Sequence, residues 1–285
     1  MEVVLTGTGC PIPDPGTAGP GVLVSTGDVH LQFDAGRATI MRLAALGLSS
    51  LDLDAVFLTH HHSDHLYGLT ELMMSREFYM VHEPDPLTVV VPDGPLTEFM
   101  DHIYDNWHHD IEVRLEHTGM ARANGSRLHP FPVPTDPEVV WTSDDGSVRV
   151  SAVTVHHEPV VPAVAYRVDG PQGAVVISGD TRVCAEVEAM SRGADVLVHE
   201  AFRTGFLSGT RAQRVSDYHA DTAEIGPMAA RAGVPTLVLT HLIPPPGLAP
   251  DPERARAAFR AEIEAGGYQG RVVVGEDLTR ISVGS

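Results

Sequence analysis

Basic residues are scarce: 19 lysines and arginines face 38 aspartates and glutamates, a formal net charge of −19 at pH 7. Nucleic-acid affinity comes largely from basic side chains that neutralise phosphates, and the chain carries no basic run and no glycine-arginine tract, so its balance disfavours a nucleic-acid partner. A small local patch remains open, with Arg167, Arg182, Arg203 and Arg211 as candidates to neutralise one small anionic group. Cysteine is nearly absent, and Cys10 and Cys184 are too few for a disulfide framework, so they read as small buried or turn residues. No apolar run approaches the roughly 18 residues of a membrane span. The opening Met1-Glu2-Val3-Val4-Leu5 lacks a basic stretch ahead of an apolar one, which gives no export signal, and the expected location is cytoplasmic. Aromatic content is modest, yet 43% hydrophobic residues supply ample material for a core.

What the chain has in abundance is metal-donor atoms at one place. Val56-Phe57-Leu58 runs out into Thr59-His60-His61-His62-Ser63-Asp64-His65, and neutral imidazoles and carboxylates are the donors a zinc ion takes. The bland alternative is a solvated histidine tract, but an Asp-His pair at this offset behind an apolar strand argues against it. The spacing His-x-His-x-Asp-His resembles the signature of the metallo-β-lactamase superfamily. The resemblance implies that His60 and His62 hold one metal, that Asp64 and His65 hold a second, and that His61 and Ser63 are spacers.

The rest of that family's pattern has counterparts downstream, each at the end of an apolar strand. Ala174–Ile177 leads into Ser178-Gly179-Asp180, which makes Asp180 the candidate bridging carboxylate, and Thr236–Leu239 leads into Thr240-His241, which makes His241 the remaining ligand of the second metal. The third histidine of the first metal falls on the pair His156-His157. Strand side chains alternate faces, so only one of the two points at the metal. His157 is favoured, because the family's histidine stands five positions before the proline of a stretch matching Pro162 to Arg167.

Further residues resemble the ribonuclease Z branch: Leu5-Thr6-Gly7-Thr8-Gly9, Phe33-Asp34-Ala35-Gly36, Ser178 to Arg182, Val198-His199-Glu200-Ala201, and His219-Ala220 ahead of a helix. The resemblance implies that His219 protonates the leaving group or steadies the transition state, against a bland role as a helix cap or surface histidine. Glu200 either orients His219 or pairs with an arginine. The chain departs from that branch in one respect. Only 22 residues separate His157 from Asp180, too few for the long arm with which short bacterial ribonuclease Z enzymes grip transfer RNA.

Because the candidate ligands run from His60 to His241, one fold must bring them together, and residues 1–285 are read as a single domain. Strands are expected at Val22–Thr26, Val29–Asp34, Val196–His199, Thr236–Thr240 and Val272–Val274, and helices at Thr39–Leu46, Leu66–Phe78, Glu186–Ser191, Thr222–Ala232 and Pro252–Ala265. Strands first and mixed strand-helix units later suggest two packed sheets with helices outside, the αββα sandwich that the resemblance implies. The 91 residues between His65 and His157 exceed what a link needs. A region around 78–135 is therefore read as an inserted lid, aromatic and histidine-bearing through Phe78, Tyr79, His82, Phe99, His102, Tyr104, Trp107, His108 and His109. Such loops commonly exclude water and choose the substrate; the alternatives are a surface subdomain or a homodimer contact.

The expected activity is that of a dinuclear zinc hydrolase, with Mn2+ or Fe2+ as substitutes at such donors. It would cleave a small ester, such as a phosphodiester, aryl sulfate or lactone, by metal-activated hydroxide, with Asp64 also accepting a proton. The alternatives are a ribonuclease Z-type endonuclease and a non-hydrolytic metal-binding or biosynthetic role.

Overall fold

The computed structural model describes residues 1–78, 85–119, 126–206, 209 and 214–284, and its strands follow from the period-2 patterning of their apolar residues. Seven form a first sheet, in the spatial order β14 (Arg280–Ser282), β1 (Glu2–Gly7), β2 (Gly21–Thr26), β3 (Val29–Phe33), β4 (Ala55–Phe57), β5 (Leu87–Pro92) and β6 (Ser126–Phe131). Seven more form a second: β13 (Arg271–Val274), β12 (Thr236–Ile243), β11 (Val196–Phe202), β10 (Gly173–Ile177), β9 (Val164–Gly170), β8 (Arg149–Thr154) and β7 (Glu138–Thr142). Successive side chains on a strand point to opposite faces. Val3, Leu5, Val22 and Val24 of the first sheet thus meet Val175, Ile177, Val196 and Val198 of the second in one core. The residues between them, Val4 and Leu23, face outward onto Leu43 of helix α1 (Thr39–Ala45) and Leu69, Leu72 and Met73 of α2 (Leu69–Glu77). On the other side, Val176, Leu197, Leu237 and Leu239 pack against α5 (Ala185–Ser191), α6 (Thr222–Ala232) and α7 (Pro252–Ala265). The result is an αββα sandwich. Each fully buried Val, Leu or Phe contributes about 1.5–3 kcal/mol, so a three-layer core of this kind fixes the strand ends firmly.

Helices α6 and α7 occupy the ranges their caps predict: the Asp221 and Asp251 side chains each accept from a first-turn backbone N–H, and α6 stops at Gly233 in the left-handed region. Helix α2 starts three residues later than its periodicity suggests. Leu66-Tyr67-Gly68 first turn over a short 3-10 segment at Ser63–His65, and Gly68 packs on Gly36, whose carbonyl oxygen a Cβ would meet at 2.1 Å.

The region around 78–135, expected as an inserted lid, also contributes to the sheets. It supplies two strands of the first sheet, β5 pairing in parallel with β4 and β6 with β5, with α3 (Pro95–Asp101) and α4 (His108–Thr118) following β5 in sequence. Tyr79 and His82 lie outside the described residues. Among the described residues, no helix is long and apolar enough to cross a membrane.

Candidate metal centre

Every candidate ligand sits at one edge of the sandwich, where strands run out between the two sheets. His60, His62, Asp64 and His65 follow β4, His157 follows β8, Asp180 follows β10, and His241 lies within β12. Two local devices aim them. At Ser178-Gly179-Asp180 the glycine has φ 59°, and a Cβ there would lie 2.9 Å from both Thr59 Cβ and the Val164 carbonyl oxygen, so only glycine lets this turn close against the first sheet. In β12 the pairing with β11 slips, Glu200 facing Thr240 and Ala201 facing Leu242. His241 is the extra residue of this bulge, held at φ 46°, and such a bulge re-aims a side chain.

The side chains converge as two groups around Asp180. His60, His62, His157 and Asp180 bring donor atoms within 4.8 Å of one another, as do Asp64, His65 and His241. Asp180 Oδ2 stands 3.9 Å from His60 Nε2, 3.3 Å from His65 Nε2 and 3.4 Å from His241 Nε2, between the groups. His241 Nε2 also lies 3.3 Å from Asp64 Oδ2. His157 is buried in this cluster. His156 points away instead, half-buried between Glu158 at 3.5 Å and Glu186 at 3.4 Å.

The outer ring nitrogens of three of these histidines are anchored by groups that fix the tautomer. His65 Nδ1–H donates to Asp34 Oδ2 at 2.7 Å, and His157 Nδ1–H donates to the Tyr218 carbonyl at 2.9 Å. The Thr59 hydroxyl donates to Asp34 at 2.9 Å and therefore accepts from His60 Nδ1–H at 2.9 Å. His60 and His157 thus turn a bare Nε2 inward, the arrangement metal-ligating histidines adopt. His60 Nε2 is buried without a hydrogen-bond partner, which natural cores rarely tolerate. Burial holds His60 well below its usual pKa and lowers His157 to about 4. Asp180 is held well below the usual carboxylate range, because His241 and His65 outweigh the effect of its burial. Neutral imidazole and ionised carboxylate are the forms that bind metal. His65 differs: although burial opposes it, the carboxylates of Asp180 and Asp34 hold a proton on it well above its usual pKa. That crowd of negative charge calls for a cation, and the donor set fits divalent metal ions.

Beside this cluster, His219 Nδ1–H donates to both oxygens of Glu200 at 2.8 and 2.9 Å, and lies 4.0 Å from Asp180 Oδ2. Burial pulls its pKa down, but Glu200 and then Asp180 overcome this and raise it to about 9. Glu200 also accepts from the Thr181 backbone N–H at 2.7 Å, so it meets a histidine and a backbone amide. The cap of α6 is Asp221. His219 lines a cavity of about 800 Å³ with His156, Arg182, Glu186, Asp217 and Glu224 on its walls. Of the arginines proposed for an anionic group, Arg182 reaches this cavity, with Glu158 at 3.2 Å. Arg167 is engaged by Asp169 and Arg203 by Glu262, and Arg211 lies outside the described residues.

One residue of the site was missed in the sequence. The Tyr218 ring stands edge-on to His157 at 5.0 Å and tilted against His219 at 4.7 Å. Burial, then Asp180, Glu200 and Asp64, push its phenol up. Its only sequence signal is that it precedes His219.

Known proteins share this architecture. Residues 1–213 match the family model described as Anti-Pycsar protein Apyc1. The chain is 35% identical over 288 residues to a ribonuclease Z of Mycobacterium bovis (strain BCG / Pasteur 1173P2), with 99% of this chain and 98% of that protein covered. It is 37% identical over 287 residues to a ribonuclease Z of Mycobacterium avium (strain 104), with the same coverage. Alignments of that length leave no room for a long arm in those relatives, so the short interval between His157 and Asp180 does not set the chain apart from them. Among solved structures, the metallo-β-lactamase fold protein YhfI from Bacillus subtilis superposes with a TM-score of 0.75 at 21% identity, and the short form of human tRNase Z with 0.69 at 19%, each over 99% of both chains.

Proposed function

The chain belongs to the Apyc1 family that its first 213 residues match and, with its mycobacterial relatives, to the ribonuclease Z-like branch of the metallo-β-lactamase superfamily. From the premise that it is a metal-dependent hydrolase of ester bonds, we propose that it cleaves a phosphodiester and that its substrate is small.

The observation that carries this reading is the His219–Glu200 pair beside Asp180. A phosphodiester with a poor leaving group needs a proton delivered to the departing oxygen, and a positioned imidazolium supplies it at a gain of about 10²–10⁴ in rate. In this reading His60, His62 and His157 would hold one ion and Asp64, His65 and His241 the other, with Asp180 lying between the two groups. Two zinc ions, with Mn2+ or Fe2+ as substitutes, would supply Lewis-acid polarisation and hydroxide near neutral pH, the chemistry of many phosphatases and nucleases. Asp64 would be placed to accept a proton as the nucleophile forms, while Glu200 keeps the His219 ring turned and charged. The formal charge of −19 and the acidic side chains around the cavity favour a small substrate over a polyanion.

A second reading, RNA cleavage, is favoured by the name of the mycobacterial relatives, which match over their whole length. Zinc-loaded protein offered bis(p-nitrophenyl) phosphate and a precursor transfer RNA separates the two. The expected result is chelator-sensitive turnover of the diester with the RNA left intact. Site-specific cutting of the RNA at catalytic enzyme concentration would transfer the function to the second reading, and turnover of neither would overturn phosphodiester cleavage.

A further inference from the structure

Tyr218 occupies the mouth of the cluster. Its backbone carbonyl holds His157 in place, and its ring is edge-on to His157 at 83° and 6.4 Å from the ring of His62. His60, His157, Asp180 and His219 are buried, whereas His62 and Tyr218 are only partly so. The phenol therefore stands where solvent, or a substrate, meets the His60, His62 and His157 group. No described residue takes its hydroxyl as a hydrogen-bond partner, although a tyrosine packed against a site normally finds one. Other donors for an anionic substrate are few. The chain has no lysine, and Arg182 is drawn towards Glu158.

Building on the phosphodiester reading above, we propose that Tyr218 is a catalytic residue whose phenolic O–H donates a hydrogen bond to a non-bridging oxygen of the scissile phosphoryl group. A phenol keeps its proton at neutral pH and is a good donor. A donor already placed where charge gathers in the transition state costs no reorganisation during reaction. The hydroxyl adds to what the ring does by packing on His157 and what the backbone does by holding it, and Tyr218→Phe removes the hydroxyl alone.

The test uses full-length, zinc-loaded wild type, Tyr218→Phe and Tyr218→Ala. It measures zinc content, inorganic phosphate affinity by calorimetry, and kcat on bis(p-nitrophenyl) phosphate. Tyr218→Phe is expected to keep its zinc and thermal midpoint, to bind phosphate about ten-fold more weakly, and to lose kcat on the order of 100-fold, the size of a lost oxyanion donor. Tyr218→Ala should do no better. If wild type fails to turn over the diester while Tyr218→Phe still weakens phosphate binding, the phosphodiester reading falls and the contact stands. Phosphate affinity and kcat both within about two-fold of wild type, or loss of zinc from Tyr218→Phe, would overturn the proposal.

Discussion

The two groups that meet at Asp180 are built by different means. His60, His62 and His157 are all imidazole, kept neutral by burial, and open to the surface along His62. Asp64, His65 and His241 are crowded by carboxylates, Asp34 behind and Asp180 in front, and these push the pKa of His65 up against its burial. One side offers bare nitrogens to a cation, and the other offers negative charge that a cation must balance. A divalent ion gains more Coulomb energy on the second side, and the first is the more accessible. Both depend on Asp34, which touches His65 directly and His60 through Thr59.

The largest expected effect comes from removing what the groups share. Asp180→Ala should take zinc from about two ions per chain to fewer than one and abolish activity, with an unchanged circular dichroism spectrum. His157→Ala should instead leave about one ion per chain, on the carboxylate side. Elemental analysis showing both variants with the same metal content would dissolve the distinction between the groups.

His219→Ala tests the neighbour of Asp180 to which the proposed function gives leaving-group protonation. It should keep its metal and lose about 10²–10⁴ in kcat on a diester with an alkyl leaving group. On bis(p-nitrophenyl) phosphate, whose leaving group departs without a proton, the loss should be much smaller. Equal losses on both substrates would remove His219 from proton delivery.

Asp34→Asn keeps the shape but loses the charge that anchors His65 and the threonine bridge to His60. Outer partners of metal ligands are worth about 10–100-fold in metal affinity or activity, and competition with a chelator should show both ions weakened. A change confined to one ion would mean that Thr59 holds His60 without help from Asp34.

The smallest effect is expected from Tyr166→Phe. This fully buried phenol donates to the Leu58 carbonyl at 2.7 Å and packs on Phe33 and Phe57, tying the second sheet to the strand end that carries His60. Its removal should cost about 1 kcal/mol of stability, read by denaturant unfolding, with metal content unchanged.

Several parts of this arrangement were legible in the chain because their causes are local. Val175 and Ile177 alternate inward until Ser178 breaks the pattern, Asp221 and Gly233 cap one helix, and His60 to His65 lie within six consecutive residues. Leu87–Pro92 and Ser126–Phe131 fall in the stretch that its length marks as inserted, yet both pair into the first sheet. Val196–Phe202 extends past His199 and Glu200, polar residues that end an apolar run in sequence but stay in register with β12 in space.

The sequence by itself determined most strands and the capped helices, since period and caps act over a few neighbours, while the donor set and the αββα class were what its resemblance to a known family implied. Only the tertiary structure decided that His157 and not His156 turns inward, that Glu200 meets His219, that Asp34 reaches both groups and that Tyr218 stands at the mouth. These meetings join residues as far apart as Asp64 and His241, 177 positions along the chain, and such contacts are fixed by how two sheets pack and where a bulge or a glycine turn aims a side chain, which no local pattern encodes.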